Sequence, residues 1–177
     1  MFTDFPMGIR SRTSPVRVGP ASGVKLGFGA MKALLQRVTL ARVSVAGREI
    51  AAIDAGIVVF LAFERGDGVH RVLRLVDRVI AYRLFPDARG HFSLDVRTVA
   101  GQILWVPEFT LAADTRQGRR ADLFPALEPD ASALLFRSVL EHARECGGER
   151  LAQAGRFGAH MAVSLVNDGP VTFLLSG

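Results

Sequence analysis

Residues 163–175 read VSLVNDGPVTFLL. Val163 to Val166 and Val171 to Leu175 carry the β-branched and apolar residues of strands. Asn167, Asp168, Gly169 and Pro170 stand between them, all of turn type. Taken alone, the stretch predicts a closing hairpin. The alternative is that the proline is placed there for a purpose beyond turning the chain.

Working outward, the pattern before this stretch is regular from Met31 onward. MKALLQRVTLARVSVAG (31–47) is rich in β-branched residues and reads as a strand, and REIAAIDAG (48–56) returns as a second. IVVFLAF (57–63) is a continuous apolar run, suited to a strand buried on both faces. Val69, Val72, Leu73, Val76, Val79 and Ile80 recur at helical spacing. GQILWVPEFTL (101–111) predicts another strand. A polar loop with Arg116, Arg119 and Arg120 follows. Asp130 is a candidate N-cap for a second helix, with Leu135, Val139, Ala143 and Cys146 inward and Gly147–Gly148 at its end. Strands with two covering helices predict an α/β or α+β domain spanning 31–177.

Residues 1–30 differ. They are rich in Gly, Pro and Ser and show no period. Three readings stay open: a start assigned too early ahead of Met31, a flexible tail, or an arginine-rich transit peptide. Four basic residues against one acidic give this segment +3 of the net +5, so the body is only mildly basic. Such a balance is a poor argument for nucleic acid by itself. The apolar runs are too short to span a bilayer, and a soluble, cytoplasmic protein is expected. With Cys146 the sole cysteine, neither a disulfide nor a cysteine-based metal site is expected.

The common catalytic motifs are absent: no G-x-S-x-G, no Walker loop, no H-E-x-x-H. Of the four histidines, His70 and His142 fall on the polar helix faces and are expected to be solvated. His160 follows GRFGA and is the one candidate for a place near a site. No two share metal-ligand spacing, so neither metal nor cofactor is expected.

Two stretches remain: PEFTLAADT (107–115) and NDGPVT (167–172). Each alone reads as an ordinary strand and an ordinary turn. Together they resemble the D-aminoacyl-tRNA deacylase family, in which a strand carries S-Q-F-T-L and the chain ends with N-x-G-P-V-T. LLQRV (34–38), ADTRQGRR (113–120) and GRFGAHM (155–161) match in the same order. The resemblance covers residues 31–177.

It implies a homodimer with a partly closed, barrel-like β-sheet flanked by two main helices. The implied reaction is hydrolysis of the ester joining a D-amino acid to the 3′ end of tRNA, without a metal, as chiral proofreading in translation. Glycyl-tRNA is an implied second substrate, since glycine has no side chain to exclude. Phe109 and Thr110 match the active-site pair, whose backbone N–H groups suit an oxyanion. Gly169 and Pro170 match a cis dipeptide that reaches into the partner's site and, with Asn167, belongs to chiral selection. Arg37 matches an arginine that packs against that dipeptide; otherwise it reads as a surface residue on an edge strand. Arg116, Arg119 and Arg120 either meet acceptor-end phosphates or form an ordinary solvated loop, and both readings stay open.

The departures are Pro107 and Glu108, where the family has Ser-Gln. A related animal group, acting on tRNA mischarged with L-alanine, shares that proline. It lacks the phenylalanine and holds its Gly-Pro trans; here Phe109 and Arg37 side with the D-specific group. A non-catalytic binder of tRNA ends is the alternative from another class.

Overall fold

A computed structural model of the chain describes residues 30–177. The expectations for the first thirty residues lie outside it. In chain order the strands are β1 (Lys32–Val45), β2 (Arg48–Ile53) and β3 (Gly56–Ala62), then helix α1 (Val69–Ile80). Short strands β4 (Phe85–Pro86) and β5 (Phe92–Leu94) precede β6 (Gln102–Pro107). Helix α2 (Pro129–Gly147), β7 (Gln153–Ala154) and β8 (Ala162–Ser176) complete the fold.

The main sheet runs β2-β1-β3-β6-β7, with β8 on the other side of β1. β1 is long enough to serve two partners in turn. Its first half pairs with β3 and its second half with β2, while β8 follows it along nearly its whole length. β2 also packs near β6 and β7, so the sheet curls into a nearly closed barrel. The mixed α/β class and the two flanking helices match the sequence reading.

The apolar pattern explains the two cores. β3 is buried on both faces: Ile57, Val59 and Leu61 join the cluster under the helices, and Val58 joins the cluster inside the barrel. β6 divides likewise, with Ile103 and Trp105 on one side and Leu104 and Val106 on the other. Strands whose faces are both covered suit this parallel pair. β1 changes side midway. Ala33 and Leu35 face the helices; Val38, Ala41 and Val43 face the barrel interior. A strand alternates with period two, so the switch needs irregular pairing, and the register with β8 shifts at Gln36/Val38 and Val38/Leu40.

The expected closing hairpin is not formed. Both halves of residues 163–175 belong to the single strand β8 and pair antiparallel with β1. Thr172 lies opposite Gln36 and Asn167 opposite Val38, so residues 168–171 bulge out against Arg37 alone. The turn-type residues were legible; that they interrupt one strand instead of joining two was not, because only the partner strand decides it.

Other boundaries also differ. The strand expected to run to Leu111 ends at Pro107, where proline cannot donate to a ladder, and Phe109–Ala112 form a 3-10 turn. α2 starts at Pro129, a residue suited to the first helical position, with Asp130 inside the first turn. Phe136 is buried where Leu135 was expected to lead. On α1, Leu75 is buried and Val69 is exposed. The β4–β5 hairpin, read only as a turn, is organised by Asp87, whose carboxylate accepts from Ser93 Oγ and from the N–H groups of Arg89 and His91.

Candidate active site

A cleft of about 660 Å³ opens at the carboxyl ends of β3 and β6. This is where ligands gather in parallel sheets, because the chain leaves both strands there. Its walls come from Leu61–Phe63, Val106–Phe109, the segment before α2, and residues 157–161. His160 lines it and is exposed.

Phe109 stands at the mouth, 61 % exposed. Glu108 N–H still donates to Leu61 O (2.9 Å), which extends the parallel ladder one step past Pro107. The chain then tightens: Leu111 N–H donates to Glu108 O and Ala113 N–H to Thr110 O, both at 3.1 Å. In a 3-10 turn the first two N–H groups have no carbonyl behind them. Here those are Phe109 and Thr110, and no group among the described residues accepts from either. The Thr110 hydroxyl donates to the Glu108 carboxylate.

The turn is tied down from below. Lys32 Nζ donates to Leu111 O (3.3 Å) and pairs with the buried Glu64 carboxylate at 3.1 Å. Arg65 fixes the far wall through Phe124 O (2.7 Å) and Glu128 (2.6 Å), and its guanidinium lies over the Phe124 ring.

The loop bearing the three arginines is closed at its base by reciprocal bonds between Asp114 and Asp122 (2.8 and 3.0 Å). Arg116 folds back onto Asp114 with contacts of 2.6–3.1 Å. That pairing, with the Arg116 N–H, holds the Asp114 carboxyl down to about 2. Arg119 and Arg120 are exposed, and no side chain among the described residues pairs with them.

The Asp168–Val171 bulge is elsewhere. Arg37 is 8 % exposed, so it is not a surface residue of an edge strand. Its Nε donates to Asp168 O (3.1 Å) and pairs with Asp168 Oδ2 (3.0 Å), while Nη1 donates to Leu84 O (2.8 Å). Asn167 does the ladder's work across the gap: its Oδ1 accepts from Val171 N–H (2.8 Å) and its Nδ2 donates to Thr172 Oγ1 (3.2 Å). Gln36 reaches the same hydroxyl from β1 (3.2 Å). The Gly169–Pro170 bond is cis, and Asp168, Gly169 and Pro170 project into solvent. Gly169 has φ +139°, a conformation that only glycine adopts freely.

The two groups of site residues do not meet within one chain. Along β3, Arg37 lies opposite Ile57 and Pro107 opposite Leu61. Four residues of strand separate them by about 13 Å. The cleft is at one end of the sheet and the Gly169–Pro170 bulge is toward the other, beside the hollow that Asp168 shares with Gln102 at the start of β6.

Sequence reasoning missed four contributors. Glu108 was read as a departure, not as the acceptor for Thr110. Leu84 O, and Phe92 whose ring lies 5.5 Å from the Arg37 guanidinium, are too distant in sequence to be inferred. The Lys32–Glu64 pair alone had a local signal, a basic and an acidic residue flanking antiparallel apolar strands.

A barrel-like α/β domain with a pair of unengaged N–H donors at a cleft and an Arg37-braced glycine-proline bulge defines a narrow class. The family described as D-Tyr-tRNA(Tyr) deacylase matches residues 34–176, and the chain belongs to it. A D-aminoacyl-tRNA deacylase of Nitrosococcus oceani is 50% identical over 145 residues, covering 82% of this chain and 92% of that one. One from Azotobacter vinelandii is 46% identical, covering 82% and 99%. A solved structure titled c-Myc DNA Unwinding Element Binding Protein superposes with TM-score 0.78 at 36% identity, covering 82% of this chain and 98% of that one. A probable eukaryotic D-amino acid tRNA deacylase shares the fold at TM-score 0.72 and 15% identity, covering 83% and 99%.

Proposed function

We propose that this chain hydrolyses the ester of D-aminoacyl-tRNA, releasing the free D-amino acid and tRNA. The observation that carries the reading is the pair of unengaged N–H groups on Phe109 and Thr110 at the mouth of the cleft. As water attacks the ester carbonyl, charge gathers on its oxygen. Two fixed donors stabilise that charge without reorganising. The acyl–oxygen bond then breaks, the ribose oxygen takes a proton, and the acid leaves as a carboxylate. Thr110 gives its hydroxyl hydrogen to Glu108, so the hydroxyl oxygen faces the ester with a lone pair and positions the attacking water. A covalent threonine intermediate is not needed.

Handedness is assigned to main chain. The Gly169–Pro170 bulge stands about 13 Å along the sheet from the cleft of its own chain, projects outward and is braced by Arg37. It fits the cleft of a second copy. β8 supports such a dimer: among the described residues it pairs only with β1, and its other edge carries the exposed Val166 and Leu174. A selectivity of about 10⁴ needs roughly 5.5 kcal/mol. One methylene in a pocket supplies about 1–3 kcal/mol. A braced backbone wall supplies more because it cannot rotate aside. Glycine has no side chain to meet the wall, so glycyl-tRNA is a substrate on this reading. Arg119 and Arg120 meet the phosphates of the acceptor end, and the exposed Phe109 offers a face for a terminal base.

Deacylation of matched D- and L-tyrosyl-tRNA tests the proposal. The D-ester is expected to be cut and the L-ester spared, with glycyl-tRNA cut as well. Equal protection of all three esters would mark a binder of tRNA ends and overturn it. Hydrolysis of L-alanyl-tRNA in preference to the D-esters would assign the chain to the related activity.

A further inference from the structure

We propose that Asp77, His142 and Cys146 form a binding site for a divalent transition metal of the zinc type, on the helical face of the molecule. The expectation of a solvated His142 fails in the structure, because its ring is packed between α1 and α2 with 23% of the side chain exposed. His142 and Cys146 stand four residues apart on α2 and so share a face. Asp77 meets them from α1. The three donor atoms are mutually close: His142 Nε2 to Asp77 Oδ1 is 2.7 Å, and Cys146 Sγ is 3.9 Å from each. Tetrahedral zinc, with bonds of about 2.0 Å to nitrogen and oxygen and 2.3 Å to sulfur, sets its ligand atoms roughly 3.3–3.6 Å apart. The observed separations bracket that range, so side-chain rotation of less than an ångström per atom admits the ion.

The surroundings fit as well. Glu145 Oε2 is 3.6 Å from His142 Nδ1. When Nε2 binds a metal, Nδ1 carries the hydrogen and needs such an outer carboxylate. Asp77 and Glu145 make the site negative, with Arg97 the basic group nearby. Burial, and then the Asp77 charge, push the Cys146 thiol up. A dication inverts that balance: the thiol proton goes to solvent and the sulfur pair forms the bond. Thiolate with imidazole and carboxylate favours zinc over magnesium or calcium. Asp77 is 60% exposed, which leaves a coordination position open to water. The site lies about 15 Å along α2 from Ser132 in the cleft wall and is separate from the deacylation chemistry. Spacing alone missed it because its three ligands are of three kinds and come from two helices.

Cys146 is the only cysteine of the chain, so a thiolate-to-cobalt charge-transfer band reports this site alone. The full chain, stripped with a chelator, is titrated with Co(II) and then Zn(II). A near-ultraviolet band that saturates at one equivalent and is bleached by zinc is expected. Cys146→Ser, nearly isosteric and expected to fold, should lack the band. Asp77→Asn should weaken cobalt binding about tenfold or more. No band under excess cobalt, a band that persists in Cys146→Ser, or unchanged affinity in Asp77→Asn overturns the proposal.

Discussion

Arg37 shows how one residue ties sequence to site. Its guanidinium spans two carbonyls that no ladder satisfies, Asp168 O and Leu84 O, from a buried position. Removing it leaves both without a charged donor. Arg37→Ala is expected to lower stability by about 3 kcal/mol, read as a shift in denaturant midpoint. Arg37→Lys should recover less than half, because one ammonium cannot reach both oxygens; full recovery would deny the two-pronged role. Glu108 makes a second residue-scale case. Its carboxylate accepts from Thr110 and, on the proposed reading, puts a negative charge where phosphates approach. Glu108→Gln should lower KM for aminoacyl-tRNA about threefold at low salt, with the gain vanishing at high salt. An unchanged KM at low salt would mean that the charge is not felt by the RNA.

At the scale of elements, the arginine loop is a closed hairpin whose latch is Asp114. Arg116 holds that carboxyl at about 2, below the ordinary 3.8, so the pairing that pins the Arg116 side chain is intact above about pH 4 and is lost as pH falls toward 2, while the backbone bonds to Asp122 that close the loop do not titrate. A carboxyl titration followed by NMR should give a midpoint near 2, rising toward 3.8 in Arg116→Ala. A midpoint of 3.8 in the unsubstituted chain would deny the pairing. The same scale shows what could be read beforehand. The apolar run of β3, the helical period of α1 and the arginine loop were legible, because each is a local pattern. β8 was not: Asn167 to Pro170 are turn residues by type, and only pairing of both flanks with β1 makes them a bulge. The end of β6 was half legible. The strand was read through Pro107 to Leu111 on its apolar residues, although a proline that cannot donate to a ladder stood within it. The resemblance named Phe109, Thr110, Arg37 and Gly169, whereas composition and spacing alone left each an ordinary residue. Nothing local told that Glu108 would hold the Thr110 hydroxyl.

For the whole molecule, the separation of the two half-sites is the fact that shapes the account. The cleft closes one end of the sheet, and the braced bulge projects toward the other. On the proposed reading a second copy brings its bulge to the cleft, with the open edge of β8 as the contact. Two variants separate this from a site within one chain. Gly169→Ala forces a Cβ to within 2.6 Å of Val171 Cγ2 at a φ of +139°, displacing the bulge. Phe109→Pro strips an N–H from the cleft at the first position of the 3-10 turn, where proline is tolerated, and Glu108 before it (φ −141°, ψ 79°) is outside the helical region that a following proline disfavours. Each alone should be inactive. The decisive measurement is D-tyrosyl-tRNA hydrolysis after the two variants are unfolded, mixed equally and refolded. Half the dimers are then mixed, and each holds one intact pairing of cleft and bulge, so about a quarter of the unsubstituted activity is predicted. Recovery of none would place cleft and bulge in one chain and contradict the account.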